Sequence, residues 1–142
     1  MATLTKFYSF VEKIHEGAIN LGTDTIKVML VSDAPSVSWD EKADVTGELS
    51  TSNGYTAGGA TVTITASSQS SGLYTLMASD VTWTATSGNL GGGSFRYAVY
   101  YDDTASGDPL LWWADFGYLV TVASGQSFTL DHDQTSGLYY ST

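Results

Sequence analysis

From residue 25 the chain alternates, with Ile26, Val28 and Leu30 on one face of an extended segment and Lys27, Met29 and Val31 on the other, which predicts a β-strand. The same period of two recurs downstream. Residues 61–65 alternate Thr with Val62 and Ile64; residues 81–85 set Val81, Trp83 and Ala85 against Thr82 and Thr84. Residues 95–101 set Phe95, Tyr97, Val99 and Tyr101 against Arg96, Ala98 and Tyr100, and residues 110–116, 119–122 and 127–133 complete the series. Short strands at close intervals, divided by Gly, Asn, Asp and Ser, predict a mainly β fold, an antiparallel β-sandwich or a jelly-roll-like barrel.

Only the first segment reads as a helix. Leu4, Phe7, Val11, Ile14 and Ala18 recur at spacings of three and four, Ser9 and Glu12 form a candidate capping box, and Gly22 is a candidate stop. Phe7, Tyr8 and Phe10 suit a strand equally well, with a turn at Gly17. Residues 1–22 are therefore expected as a short helix or an arm on one β domain spanning 1–142. Residues 34–52 hold Pro35, four acids and Gly47 with little periodicity. They predict a long surface loop with Trp39 folded back, a kind of segment that often binds partners. The echo Gln-x-Ser-Gly-Leu-Tyr at 69–74 and 134–139 predicts two hairpin turns, each with its glycine at positive φ.

Charge narrows the function classes. Five Lys and Arg against fifteen Asp and Glu give a net charge of −10, and Arg96 is the only basic residue after Lys42. Displacing counterions from nucleic-acid phosphates takes several cations, so no nucleic-acid partner is expected, nor an anionic membrane surface. No segment approaches the ~20 apolar residues of a membrane span and the start lacks an apolar signal-peptide core, so folding in a cytoplasm is expected. With no cysteine, stability must rest on apolar burial and hydrogen bonds.

Catalytic patterns are missing. His15 and His132 lie far apart with no cysteine between them, and no phosphate-binding loop or nucleophile elbow occurs. Gly91-Gly92-Gly93 precedes a strand, so it reads as a flexible turn. His132 reads as a surface strand residue. Asp131 and Asp133 resemble the start of a calcium loop, but its glycine comes one place late and its last ligand position is Thr142. No enzyme activity, cofactor or metal is expected.

Aromatic residues are the stronger signal. Tyr100-Tyr101, Trp112-Trp113 and Tyr139-Tyr140 are adjacent pairs, and neighbours in a strand point to opposite faces. The outward member of each pair serves a subunit interface, a sugar-stacking platform or a second buried face; the enrichment of Tyr and Trp at interfaces puts the first foremost. The interface candidates are Phe7, Tyr8, Phe10, Trp39, Tyr100, Trp113, Tyr139 and Tyr140.

Several blocks then occur in a telling order: Asp24-Thr25-Ile26-Lys27-Val28-Met29-Leu30, Asn53-Gly54-Tyr55-Thr56-Ala57-Gly58-Gly59, Asp80-Val81-Thr82-Trp83, the run 95–104, Asp108-Pro109-Leu110-Leu111 and Asp115-Phe116-Gly117. Together they resemble a widespread family of small tailed-bacteriophage virion structural proteins, often encoded among the head genes. The resemblance implies a head decoration or cement protein on the outer capsid surface, made in the host bacterial cytoplasm, with the major capsid protein as partner and no family-wide catalytic residues. A homo-oligomer is expected, a trimer by preference, since a threefold would let three short chains share aromatic contacts. A tail or fibre component is the alternative within the particle. A host-glycan-binding module using Trp112 or Trp113 is the alternative outside it.

Overall fold

The computed structural model describes residues 3–141. Strand accounts for 43% of the chain and helix for 10%, so the fold is mainly β, as the alternation predicts. A five-stranded sheet runs β1 (Leu4–Lys6), β8 (Leu110–Val120), β7 (Phe95–Asp102), β2 (Ile26–Val31), β3 (Ala60–Val62), antiparallel throughout. Opposite it stand a three-stranded sheet, β10 (Tyr139–Ser141), β5 (Leu73–Ala78), β4 (Ile64–Ser70), and a two-stranded sheet of β6 (Val81–Thr84) and β9 (Ser127–Leu130). The arrangement is β-sandwich-like.

The main core lies between these layers. Ile26, Val28 and Leu30 from β2, Tyr100 from β7 and Trp112 from β8 meet Leu76 and Ala78 of β5, Trp83 of β6 and Leu130 of β9. The alternate residues of the same strands do not face solvent. Met29, Val31, Tyr97, Val99, Tyr101, Leu110 and Trp113 form a second apolar cluster on the other face of the five-stranded sheet, with Val37, Trp39 and Val45 packed over it. Strands buried on both faces read as near-continuous apolar runs, as β7 and the first half of β8 do.

The segment predicted as a long surface loop supplies the cover of that second face. Backbone bonds hold it down: Tyr8 N–H to the Val37 carbonyl, Ser32 N–H to Gly47, Lys42 N–H to Asp108, and Leu110 N–H to Asp40. Trp39 folds back as expected. Glu48 accepts from the Tyr55 hydroxyl at 2.9 Å and from Gly58 N–H at 2.6 Å, tying the far end of the cover to the 53–59 turn. That turn has little room, because a Cβ at Gly59 (φ +78°) would collide with the Val28 carbonyl oxygen, a position only glycine fills.

Residues 4–21 are an integral part of the fold and not a free arm. β1 pairs with β8, Leu4 opposite Ala114, and then turns into helix α1 (Tyr8–His15), so the helix reading is met and the strand reading of Phe7, Tyr8 and Phe10 is corrected, the strand ending at Lys6. The helix starts from Phe7 without a side-chain cap. The Ser9–Glu12 box therefore does not form, because Ser9 lies inside the first turn. The helix closes where Ala18 N–H bonds the Lys13 carbonyl, a Schellman closure five residues before the predicted stop. The first echo is a hairpin, with Ser71 and Gly72 at positive φ between β4 and β5. The second is a turn but no hairpin, since β10 leaves β9 and pairs with β5.

Trp112 touches Phe10 edge-on at 5.4 Å, stacks on Tyr139 at 4.8 Å and leans on Tyr100 at 5.8 Å. Trp112→Ala should cost about 3–5 kcal/mol in chemical denaturation. Tyr118→Ala, on a residue 68% exposed, should stay within about 0.5 kcal/mol of the parent.

Candidate functional site

The predicted interface residues separate by burial. Phe7, Phe10 and Tyr100 are fully buried and Trp113 is 9% exposed, so these four are core side chains and offer no surface to a partner. Both members of Tyr100-Tyr101 and of Trp112-Trp113 are buried because the sheet they stand in is covered twice. For these two pairs the second buried face is the reading that is met, the interface reading is corrected, and a sugar platform on Trp112 or Trp113 falls with it. Trp39 is half-buried in the cover, and Tyr139 is half-buried against Trp112. Tyr8 alone of the described candidates stands well out, at 70% exposure, with Val11 one helical turn on at 45%. The side chain of Tyr140 lies outside the described residues.

A more pronounced apolar projection was not among the candidates. Tyr97 pairs with Asp115 and Phe95 with Val120, so one residue of β7 faces four of β8. The surplus, residues 116–119, bulges outward. Phe116 turns in to meet Phe95 and Phe128 edge-on at 6.0 and 5.4 Å, while Tyr118 and Leu119 are 68% and 62% exposed. The base of the bulge is fixed. Asp115 accepts Arg96 Nε–H and Nη2–H at 2.8 and 3.1 Å, and Asp115 Oδ1 accepts Gly117 N–H at 2.7 Å. The guanidinium holds the Asp115 carboxyl below its usual range. A bidentate pair adds geometric definition more than stability at an exposed site. Glycine inside a strand pattern marks a bulge, and Gly117 was the available signal.

The charge of the chain as a whole is negative, −10. Lys13, Lys27 and Arg96 pair with Asp40, Asp103 and Asp115, and Lys42 sits over the Tyr101 ring at 5.0 Å. Four of the five basic residues are thus engaged within the chain, which leaves most of the fifteen acids uncompensated at the surface.

Two buried polar groups were not legible in the sequence. His132 is fully buried, not a surface strand residue. Its Nδ1 lies 2.8 Å from the Ser79 carbonyl, which only accepts, so Nδ1 carries the proton and Nε2 accepts the Tyr100 hydroxyl at 2.8 Å. Burial lowers the His132 pKa and raises that of Tyr100, so both stay neutral. Asp102 is the other. Its Oδ1 accepts Thr104 and Ala105 N–H groups at 2.8 and 3.0 Å, while Oδ2 is buried without a hydrogen-bond partner. Burial first, and the neighbouring Asp24 carboxyl second, push its pKa up to about 6.

No three His, Asp or Glu side chains converge as metal ligands among the described residues. Asp133 Oδ1 accepts Thr135 and Ser136 N–H groups at 2.7 and 2.9 Å, closing a turn with its carboxylate. Comparison with models of known protein families, with curated proteins and with solved structures finds no match.

Because the folded Asp102 pKa lies above the unfolded value near 3.8, the folded state binds the extra proton and loses stability as pH rises towards 6. Asp102→Asn keeps the Oδ1 acceptor and removes the charge. Its stability relative to the parent should rise by about 1–2 kcal/mol between pH ~4.5 and ~7, measured by urea denaturation across that range. A constant difference over the range would refute the raised pKa of Asp102, buried beside Asp24.

Proposed function

We propose that this chain is a structural protein of a tailed-bacteriophage particle, a head decoration protein that binds the outer surface of the major capsid protein shell. The ordered blocks from Asp24 to Gly117 carry the phage assignment. They also have a physical role here, because they build β2, the 53–59 turn, β6, β7 and β8. Residues bearing the resemblance are therefore mostly those that make the sandwich, and the contact surface has to be sought outside them.

The observation that carries the binding reading is the Tyr118–Leu119 bulge. Two large apolar side chains held out from a fixed base form an anchor of the type that dominates binding energy when a partner pocket buries it. Full burial of a side chain of this size is worth about 1.5–3 kcal/mol before ordering costs, so several copies acting together on one shell give firm attachment. A protein that binds assembled subunits and not free ones shifts assembly towards the shell by mass action. The acidic surface suits an outward position, since it finds no attraction to enclosed nucleic acid. A homotrimer is the simplest closed assembly for the chain under this reading.

The test is a labelled image of the particle together with a substitution. Label is expected at symmetric positions on the head, with a copy number set by capsid sites. Label confined to the tail would reassign the chain to a tail or fibre component, and its absence from particles would end the phage reading. The double change Tyr118→Asp, Leu119→Asp should release the chain from particles while leaving its thermal midpoint within a few degrees.

A further inference from the structure

On the side of the molecule formed by the three-stranded sheet, the turn after α1 leaves a cleft of about 460 Å³ between residues 14–22 and strands β4, β5 and β10. We infer that this cleft is a binding site for a neutral, polyhydroxylated ring, a single sugar unit of a glycan. It is a different place from the tryptophan platform that burial excludes, and it does not depend on the particle assignment.

The size and the chemistry of the walls carry the inference. Small-ligand sites run to roughly 300–1,000 Å³, mostly apolar with a few placed polar groups. Here Ile14, Ile19 and Leu21 supply aliphatic surface, and Tyr74 and Tyr139 stand 6.3 Å apart with planes inclined at 57°. Tyrosine offers an apolar face with a polar tip, which fits a ring that has C–H faces and hydroxyl edges. Among the described residues no Lys, Arg, Asp or Glu lines the cleft. An anionic ligand would find no cation and a cationic one no carboxylate, and each would lose its hydration without compensation.

The polar groups offer both senses of hydrogen bond. Ser67 Oγ and the Tyr74 hydroxyl lie 2.9 Å apart, and two hydroxyls bonded to each other retain one donor and further acceptor capacity between them. His15 Nδ1 lies 2.6 Å from the Val11 carbonyl, so Nδ1 donates and, in the neutral ring, Nε2 is left as an acceptor at the rim. The Asn20 carbonyl oxygen is occupied by Gly22 N–H at 3.0 Å, leaving its NH₂ as a donor with no partner among the described residues. A purely hydrocarbon ligand would strand these groups. A sugar hydroxyl is at once donor and acceptor and can meet each of them.

The walls come from three separate stretches, the turn after α1, the β4–β5 hairpin and β10. Two of these are anchored to the core independently of any ligand. Tyr139 stacks on Trp112, and the helix is held through Phe10, which meets both of those rings. The cleft is therefore formed in advance, and binding does not have to order it.

The full chain labelled with ¹⁵N, titrated with a panel of neutral mono- and disaccharides, tests this. At least one sugar should give saturable shifts confined to residues 14–22 and the neighbourhoods of Ser67, Tyr74 and Tyr139, with the millimolar dissociation constant expected of a one-ring ligand. Uronic acids and amino sugars of the same size should bind more weakly. Tyr74→Ala should weaken binding at least about tenfold; should that variant fail to fold, Ser67→Ala, on an exposed strand residue, should still weaken it several-fold. Absence of saturable shifts for every neutral sugar overturns the assignment, as does tighter binding of the charged sugars or of a plain aromatic ring.

Discussion

Trp112 and Trp113 are neighbours in one strand, and their side chains leave it in opposite directions. A strand with a tryptophan on each side is stable only when both faces of its sheet are shielded from water, and much of the structure follows from meeting that demand. On one side α1 and the two smaller sheets close over Trp112. On the other, where no further strand is available, residues 32–48 are drawn across Trp113 and Tyr101 and fastened through their backbone. The aromatic wealth of the chain is largely used in this double closure, which is why so little of it reaches the surface.

The parts legible in the sequence are those governed by local alternation. β2 and β6 emerge with their correct faces and β7 does so from Tyr97 to Tyr101, because a period of two is a property of consecutive residues, whereas the register shift after Phe95 turns that ring to the main core with Ala98 and Tyr100, and β8 was legible only as a strand. The β4–β5 hairpin was visible as its turn, although β5 itself was not, since Leu73–Ala78 alternates poorly. What escaped depends on partners far along the chain. Nothing near Trp113 reveals that residues 32–48 will cover it, and nothing near His132 reveals that Tyr100 and Ser79 will close around its ring. The surface reading of the aromatic pairs failed for that reason: adjacency fixes opposite directions, but only the tertiary layers decide whether both directions are dry.

The candidate contact surfaces show the same division. Tyr8 was identified for its type and is exposed because the helix starts there with its inner face on Phe10. Tyr118 and Leu119 are exposed because β8 carries more residues than its partner, and only the glycine at 117 betrays the mismatch. The uncharged cleft is a property of three remote stretches, and no window of sequence contains it. The features that give the chain something to bind with are features of assembly in space.

The outermost strands of the sheets carry a further consequence for how this molecule comes into being. Leu4 lies opposite Ala114, and Tyr139 opposite Leu76, so the edge of the large sheet and the edge of its neighbour are each completed by strands remote in the chain. Closing such long loops costs entropy before any contact rewards it, and topologies dominated by remote pairings fold slowly. A chain emerging from the ribosome has made β1 and α1 long before the strand that receives them exists. During that interval Phe7 and Phe10 have no tryptophan to rest on, and they lie in a charge-balanced stretch, Lys6, Lys13 and Lys27 against Glu12, Glu16 and Asp24, the excess of acids entering only from Asp33 onward. The first aromatic rings of the core are thus made without charge repulsion to keep copies apart, and their shelter waits on a strand more than a hundred residues away.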